Sequence, residues 1–358
     1  MNPLLQVRAQ GQQVWLDNLS RTLLNDGHLA RMITEDGVDG VTTNPAIFHK
    51  AIAGGRYYED DLAALKRQPI DAEARYEQLV IPDVQRACDL LRPTFERTGR
   101  NAGYVSLEVS PALAHDAAGT VAAGLRLKQA VARDNVLIKV PATPAGLDAI
   151  EQLIGHGVSV NVTLMFSLAH VDAVADAYLR GLAHLQRAGG DVRSVMSVAS
   201  LFLSRVDTLI DKQLEELGGN APALRGKAAV ATAKLAYQRY LERFHGAAFA
   251  DLRALGARPQ FMLWASTGTK NPAYSDLLYV EPLIGAETVN TLPDATLAAL
   301  RDHGKVGATL TTDAGAARAH FAALASLGVD LTAAGERLQR EGLAQFEDAF
   351  AQLLQLTA

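Results

Sequence analysis

The residues with the clearest chemical potential lie on one short run, Val136-Leu137-Ile138-Lys139-Val140-Pro141-Ala142-Thr143. Read with a period of two, Leu137 and Lys139 share one side, and Val136, Ile138 and Val140 take the other. Apolar β-branched neighbours mark a buried strand. Pro141 and Thr143-Pro144 then stop it and open a helix. An ammonium in such a strand must be paired or give up its proton, and an unprotonated lysine amine is the nucleophile that forms Schiff bases with carbonyls. A strand-end lysine can also snorkel to water or hold a salt bridge, so neighbouring strands must decide between the two.

Several of them carry polar residues of the right kind. In Val14-Trp15-Leu16-Asp17, Asp17 shares a face with Trp15 and stands at a strand end, either as a helix cap or as a carboxylate at the mouth of a sheet. In Val41-Thr42-Thr43-Asn44-Pro45, Pro45 keeps Asn44 extended. Asn44 there can cap the next helix or present a neutral amide to a hydroxyl. In Tyr104-Val105-Ser106-Leu107-Glu108-Val109, Glu108 lies opposite the apolar face, and a charged group in mid-strand has to be paired. In Val158-Ser159-Val160-Asn161-Val162-Thr163-Leu164 the parity is clean, with Asn161 and Thr163 on the polar side. Ser200 and Arg205 follow at the exit of Ser197-Val198-Ala199-Ser200, where an arginine fork beside a helix start suits a phosphate; a pair with Asp207 or with a neighbouring helix is the alternative for Arg205. Ser266-Thr267-Gly268-Thr269-Lys270 forms a second anion-cradle candidate, in which the loop setting makes Lys270 a solvated cation.

The elements that must position these residues alternate. Strands are expected at 14–19, 40–44, 103–110, 136–142, 158–165, 194–201, 260–267 and 287–291. Helices are expected at 22–36, 74–99, 119–133, 145–155, 168–188, 204–217, 223–247 and 294–302. Eight strands alternating with helices point to an α/β chain with a parallel sheet, and eight is the number that closes a (β/α)8 TIM barrel. The surplus fits extra N-terminal and C-terminal helices on one barrel domain spanning 1–358, with a helical insertion at about 48–102 and a helical tail at about 312–358. In a barrel the apolar parity packs under the outer helices. That rule turns Asp17, Asn44, Glu108, Lys139, Asn161 and Thr163 toward the barrel axis, where an ordinary barrel carries branched apolar side chains.

Composition sets the outer limits. The 358 residues carry a net charge of −5, with 49% apolar and 20% charged residues, which gives no reason to expect nucleic acid or an anionic membrane as partner. The single cysteine, Cys88, excludes an intramolecular disulfide and a cysteine-cluster zinc site, and its apolar helical context suits a packed thiol. The nine histidines are scattered without metal-ligand spacing, and no nucleophile elbow, Walker loop or dinucleotide fingerprint occurs. Met1-Asn2-Pro3-Leu4-Leu5-Gln6 lacks the basic flank and apolar core of a signal peptide, and no apolar run approaches the about 20 residues of a bilayer span, so a cytoplasmic protein is expected.

The strands resemble those of the transaldolases, in particular the longer bacterial type. The carrying motifs are Trp15-Leu16-Asp17-Asn18-Leu19-Ser20-Arg21, Val41-Thr42-Thr43-Asn44-Pro45, Ser106-Leu107-Glu108-Val109, Ile138-Lys139-Val140-Pro141-Ala142-Thr143, Asn161-Val162-Thr163-Leu164-Met165-Phe166-Ser167 and Trp264-Ala265-Ser266-Thr267, in that order. They reach from the first strand to about residue 292; the C-terminal helices carry no such motif. The resemblance implies a (β/α)8 barrel enzyme of the pentose phosphate pathway. It would move a dihydroxyacetone unit from sedoheptulose 7-phosphate to glyceraldehyde 3-phosphate, giving erythrose 4-phosphate and fructose 6-phosphate. No metal or organic cofactor is implied, and the partners would be small sugar phosphates. Lys139 would form the Schiff base, Asp17 would take the C4 hydroxyl proton, and Glu108 would act through a water held with Thr163. Asn44, Asn161 and Ser200 would hold the hydroxyls of the dihydroxyacetone unit, and Arg205 the phosphate. In shorter members an arginine follows the serine of the seventh strand. Here Ser266 is followed by Thr267-Gly268-Thr269-Lys270, so Ser266 and Lys270 are carried over in a shifted register. A related aldolase that releases free dihydroxyacetone from fructose 6-phosphate is the alternative; those relatives place a different acid/base group where Glu108 stands. The oligomeric state, monomer or homodimer, is left open by the sequence.

Overall fold

In the computed structural model, which describes residues 2–358, the strand pattern closes on itself. In chain order the elements are α1 (Pro3–Ala9), β1 (Gln12–Leu16), α2 (Arg21–Asn25), α3 (His28–Glu35), β2 (Gly40–Val41), α4 (Pro45–Ala53), α5 (Glu59–Lys66), α6 (Ala72–Arg97), β3 (Tyr104–Glu108) and α7 (Ala117–Val131). There follow β4 (Val136–Pro141), α8 (Pro144–Gly155), β5 (Val160–Met165), α9 (Leu168–Arg187), β6 (Ser197–Phe202), α10 (Ser204–Leu217), α11 (Ala228–His245) and α12 (Ala250–Ala254). The chain ends with β7 (Phe261–Ala265), β8 (Thr288–Leu292), α13 (Asp294–His303), α14 (Ala314–Ser326) and α15 (Leu331–Thr357). Each strand pairs in parallel with the next, and β8 pairs with β1 from Gln12↔Thr288 to Leu16↔Leu292. The architecture is the expected (β/α)8 barrel, with α1 before it and α14 and α15 after it.

Two helices differ from the pattern read off the sequence. The segment expected as one helix at 22–36 is broken after α2, because Gly27 takes φ +71° before α3 begins. The segment expected from 223 starts only at Ala228, after a single tight turn at Ala221–Leu224. The stretch at 48–102 comprises most of α4 and all of α5 and α6. Of these, α6 is the long crossover onto β3, capped at its start by Asp71.

The barrel interior is tightly filled below the site. Trp15 is fully buried, and its indole crosses the face of β2 at Gly40, where a Cβ would lie 2.6 Å from the ring. Only glycine admits the indole there. The apolar parity of the strands packs outward, as Val136, Ile138, Val140, Val160 and Val162 show by being wholly buried under the helices. Cys88 on α6 is buried as well; its thiol points at Asn135 O, and burial pushes it up to about 12.

Candidate active site

The register of three neighbouring strands builds the centre. Glu108 on β3 is the lateral partner of Lys139 on β4, which is the partner of Asn161 on β5. Partners in a parallel pair project to the same side of the sheet, so the three form a row facing the axis. Lys139 is 5% exposed. Its Nζ donates to Thr43 O at 3.0 Å and forms an ion pair with Glu108 Oε2 at 3.3 Å. Beyond that ammonium, Oε2 has no partner among the described residues. Burial raises the Glu108 pKa from its ordinary value; the lysine charge opposes that rise, and Asp17 adds to it. The salt-bridge reading of the lysine holds, and the paired carboxylate stands within reach of the ammonium protons.

Asp17 follows β1 at the same end of the barrel. It does not cap α2, a task performed by Ser20, whose hydroxyl accepts from Leu23 N. Instead Asp17 Oδ1 accepts from the Thr42 hydroxyl at 2.7 Å, and Thr42 in turn lies 2.6 Å from the Thr291 hydroxyl of β8. Burial raises the Asp17 pKa, and the Thr42 hydrogen bond and the Lys139 charge counter it. Asn44 caps α4, one of the two uses that its position allowed, and stands in the cavity wall. Its Oδ1 accepts from Ile47 N at 3.0 Å, which orients the amide.

On the other side of Lys139 the amide of Asn161 is fixed by two serines. Ser200 donates to Asn161 Oδ1 at 2.7 Å, and Asn161 Nδ2 donates to Ser106 Oγ at 2.9 Å. One amide hydrogen remains for a ligand. Thr163 is wholly buried on the cavity wall, and its hydroxyl has no partner among the described residues. A buried, unpaired hydroxyl is costly, and a water or a substrate oxygen relieves it.

Arg205 opens α10 and lines the same cavity. It does not pair with Asp207, which is engaged by Ala229 N and by the Tyr279 hydroxyl. Its guanidinium lies over the Phe202 ring at 5.5 Å, its Nη1 is without a partner among the described residues, and burial lowers its pKa from the usual value. A half-buried guanidinium with a free Nη1 facing the cavity is able to receive an anion. Ser266 lines the cavity too. It is held at φ +54° with its hydroxyl 2.8 Å from that of Ser204, so the exits of β6 and β7 are joined beside Arg205. Lys270 is not brought to this wall: it is exposed, on the loop beyond, and does not line the cavity.

The cavity measures about 110 Å³ and is lined also by Phe346 of α15. Strand reasoning did not find Phe346, or Thr42 and Phe202 as lining residues. Thr42 had a signal in sharing the face of Asn44. Phe346 had none in the strands, but α15 carries one of its own. Gly335, Gln339, Gly342 and Phe346 recur at helical spacing on one stripe. Among the described residues no group of three or more His, Cys, Asp or Glu side chains is arranged to hold a metal ion.

The fold places the chain among (β/α)8 barrels, here with a buried strand lysine and its paired carboxylate at a polar cavity. More narrowly, it belongs to the transaldolase/fructose-6-phosphate aldolase family, whose model matches residues 14–357. It is 59% identical over 355 residues to the transaldolase of Thiobacillus denitrificans, covering 99% of both chains. Identity to the transaldolase of Neisseria gonorrhoeae is 52% over 354 residues, again 99% of both. To transaldolase 1 of Streptomyces coelicolor it is 49% over 353 residues, 98% of this chain and 93% of the relative.

Proposed function

We infer that this enzyme is a transaldolase: it transfers a dihydroxyacetone unit from sedoheptulose 7-phosphate to glyceraldehyde 3-phosphate, within the pentose phosphate pathway. One observation carries the reading, the Lys139 amine buried at the cavity wall with the Glu108 carboxylate 3.3 Å away. Glu108 takes the ammonium proton, and the free amine adds to the ketose carbonyl. Loss of water, relayed between Glu108 and a water held by the Thr163 hydroxyl, leaves a protonated imine. That cation is an electron sink.

Asp17 then takes the proton of the C4 hydroxyl. The C3–C4 bond breaks, its electron pair moves into the imine, and erythrose 4-phosphate leaves as the aldehyde. The remaining enamine attacks the carbonyl carbon of glyceraldehyde 3-phosphate, whose oxygen receives the proton from Asp17. Water addition and loss of the amine release fructose 6-phosphate and return Lys139. A carboxylate whose pKa lies above its ordinary value suits a group that both accepts and returns a proton. Asn44, Asn161 and Ser200 hold the hydroxyls of the three-carbon unit, and Arg205, with Ser266, receives the phosphate. Lys270 can act as a second cation only after its loop folds inward. A cytoplasmic location belongs to this reading, because substrates bearing charged phosphates stay inside the cell that makes them.

The test is borohydride reduction in the presence of fructose 6-phosphate followed by peptide mapping, paired with a coupled assay run with and without acceptor aldehyde. A three-carbon adduct on the peptide containing Lys139, and turnover that requires the acceptor, are the expected results. An adduct on another lysine refutes the site, and acceptor-independent release of dihydroxyacetone at the full rate refutes the transfer.

A further inference from the structure

The C-terminal helix is not an appendage to the barrel. α15 packs across α4, α6 and α10 and against the end of β5. Its stripe of Gly335, Gln339, Gly342 and Phe346 faces the strand exits, while Phe350 and Thr357 meet α6. At Gly335 a Cβ would stand 2.6 Å from Ser167 Cβ, and at Gly342 one would stand 3.0 Å from Leu164 and 3.3 Å from Arg205 Nη1. The helix backbone therefore approaches the strand ends as closely as it can. Between the two glycines, Gln339 is buried and its Nε2 donates to Ala142 O at 2.9 Å and Leu164 O at 3.1 Å. Leu164 is held at φ +58°, where the register of β5 against β6 shifts between Val162 and Met165. That break frees the carbonyl which Gln339 engages. At the start of the stripe Glu336 meets His170 of α9 at 3.0 Å. One turn beyond Gly342, Phe346 presents its ring to the cavity, 5.6 Å from Lys139 Nζ.

We propose that Phe346 is a specificity-determining residue of the transfer, which shields the three-carbon intermediate on Lys139 from water and so decides between transfer and release. The proposal rests on the transaldolase reading. After the first aldehyde leaves, the enamine on Lys139 has two fates. It forms a carbon–carbon bond to the incoming aldehyde, or it is protonated at carbon. In the second case water adds to the iminium carbon, the C–N bond breaks, and the water oxygen becomes the ketone oxygen of free dihydroxyacetone as Lys139 recovers its amine and proton. The release branch consumes one proton and one water and needs no other reactant.

During the interval between the two aldehydes the pocket is only part filled. An apolar ring beside the nitrogen, on a helix lying over the exits of β4 and β5, occupies space that water would otherwise take. Truncation to alanine enlarges a cavity of about 110 Å³ by room for several waters.

Phe346→Ala and Phe346→Leu are compared with the unsubstituted protein. Free dihydroxyacetone is measured by enzymatic reduction, and transfer by formation of the new ketose phosphate in the same mixture. The expected result is a rise in the ratio of release to transfer on the order of tenfold for Phe346→Ala, the discrimination one apolar contact supplies in a pocket, with Phe346→Leu between. Borohydride trapping at Lys139 is retained. If transfer and release fall together at an unchanged ratio, Phe346 is packing only and the proposal is overturned. Should Phe346→Ala fail to fold, Phe346→Leu decides on the same criterion. Failure of the parent reading shows elsewhere, as absent transfer or trapping in the unsubstituted protein.

Discussion

Replacing Lys139 by methionine separates the nucleophile from the packing of its side chain. The change keeps most of the aliphatic stem and removes the charge that faces Glu108 at 3.3 Å. Two unit charges at that distance attract by on the order of 5 kcal/mol at an effective dielectric of about 20. Leaving a buried carboxylate without its partner costs about 3–5 kcal/mol. Glu108 limits that cost by taking up a proton, because burial already holds its pKa above the ordinary value and loss of the lysine charge raises it further. A carboxyl whose folded pKa is raised stabilises the fold below its unfolded pKa, and the contribution is lost as pH rises through the folded value. Lys139→Met should therefore be destabilised by about 3–5 kcal/mol near pH 8 and by distinctly less near pH 5. Adding Glu108→Gln should recover a large part of the loss near pH 8. Urea denaturation of the four proteins of this cycle measures it, with borohydride trapping run in parallel. A loss that is equal at both pH values, or is untouched by Glu108→Gln, refutes the pairing. Persistent trapping in Lys139→Met refutes the nucleophile.

Arg205→Ala should raise KM for phosphorylated ketoses about 10- to 100-fold with a smaller change in kcat, because a hydrogen bond to a charged group contributes about 1.5–3 kcal/mol and is made in ground and transition states alike; an unchanged KM would move the phosphate elsewhere. Asp17→Asn should lower kcat by about 10²–10⁴ while leaving trapping of the imine intact. In the unsubstituted enzyme the acid limb of cleavage should lie above the range of a free aspartate, since burial raises the Asp17 pKa; a limb at the ordinary value removes Asp17 from the base role. Asp39 is buried with Oδ1 unpartnered among the described residues and Arg8 3.6 Å from Oδ2, and burial pushes it up to about 6. Its stabilising contribution is complete below about pH 4 and lost through about pH 6, so Asp39→Asn should gain up to about 3 kcal/mol at pH 8 relative to pH 4; denaturation midpoints shifted alike at both would contradict this.

What the sequence determined by itself was the parity of the strands. Alternation along 158–164 separated Asn161 and Thr163 from the valines, and the same parity on its neighbours turned Glu108 and Lys139 inward; the structure places these in one row through the registers Glu108↔Lys139↔Asn161. Such positions are legible because a strand's faces follow from residue order alone. Choices between local and distant partners were not legible. Asp17 was a cap or a cavity carboxylate until Ser20 proved to be the cap and Thr42 the partner of Asp17. Arg205 had Asp207 two residues away, yet Asp207 is held by Ala229 and Tyr279. Lys270, close to Ser266 in sequence, lies exposed beyond the wall, because the loop after the left-handed turn at Ser266 leaves the barrel. The wall from α15 belongs wholly to tertiary structure. Gln339 finds Ala142 and Leu164 nearly two hundred residues away, and Phe346 reaches Lys139 across a comparable stretch. Helical spacing marks Gly335, Gln339, Gly342 and Phe346 as one stripe, but only the packed barrel supplies the strand ends against which that stripe comes to rest.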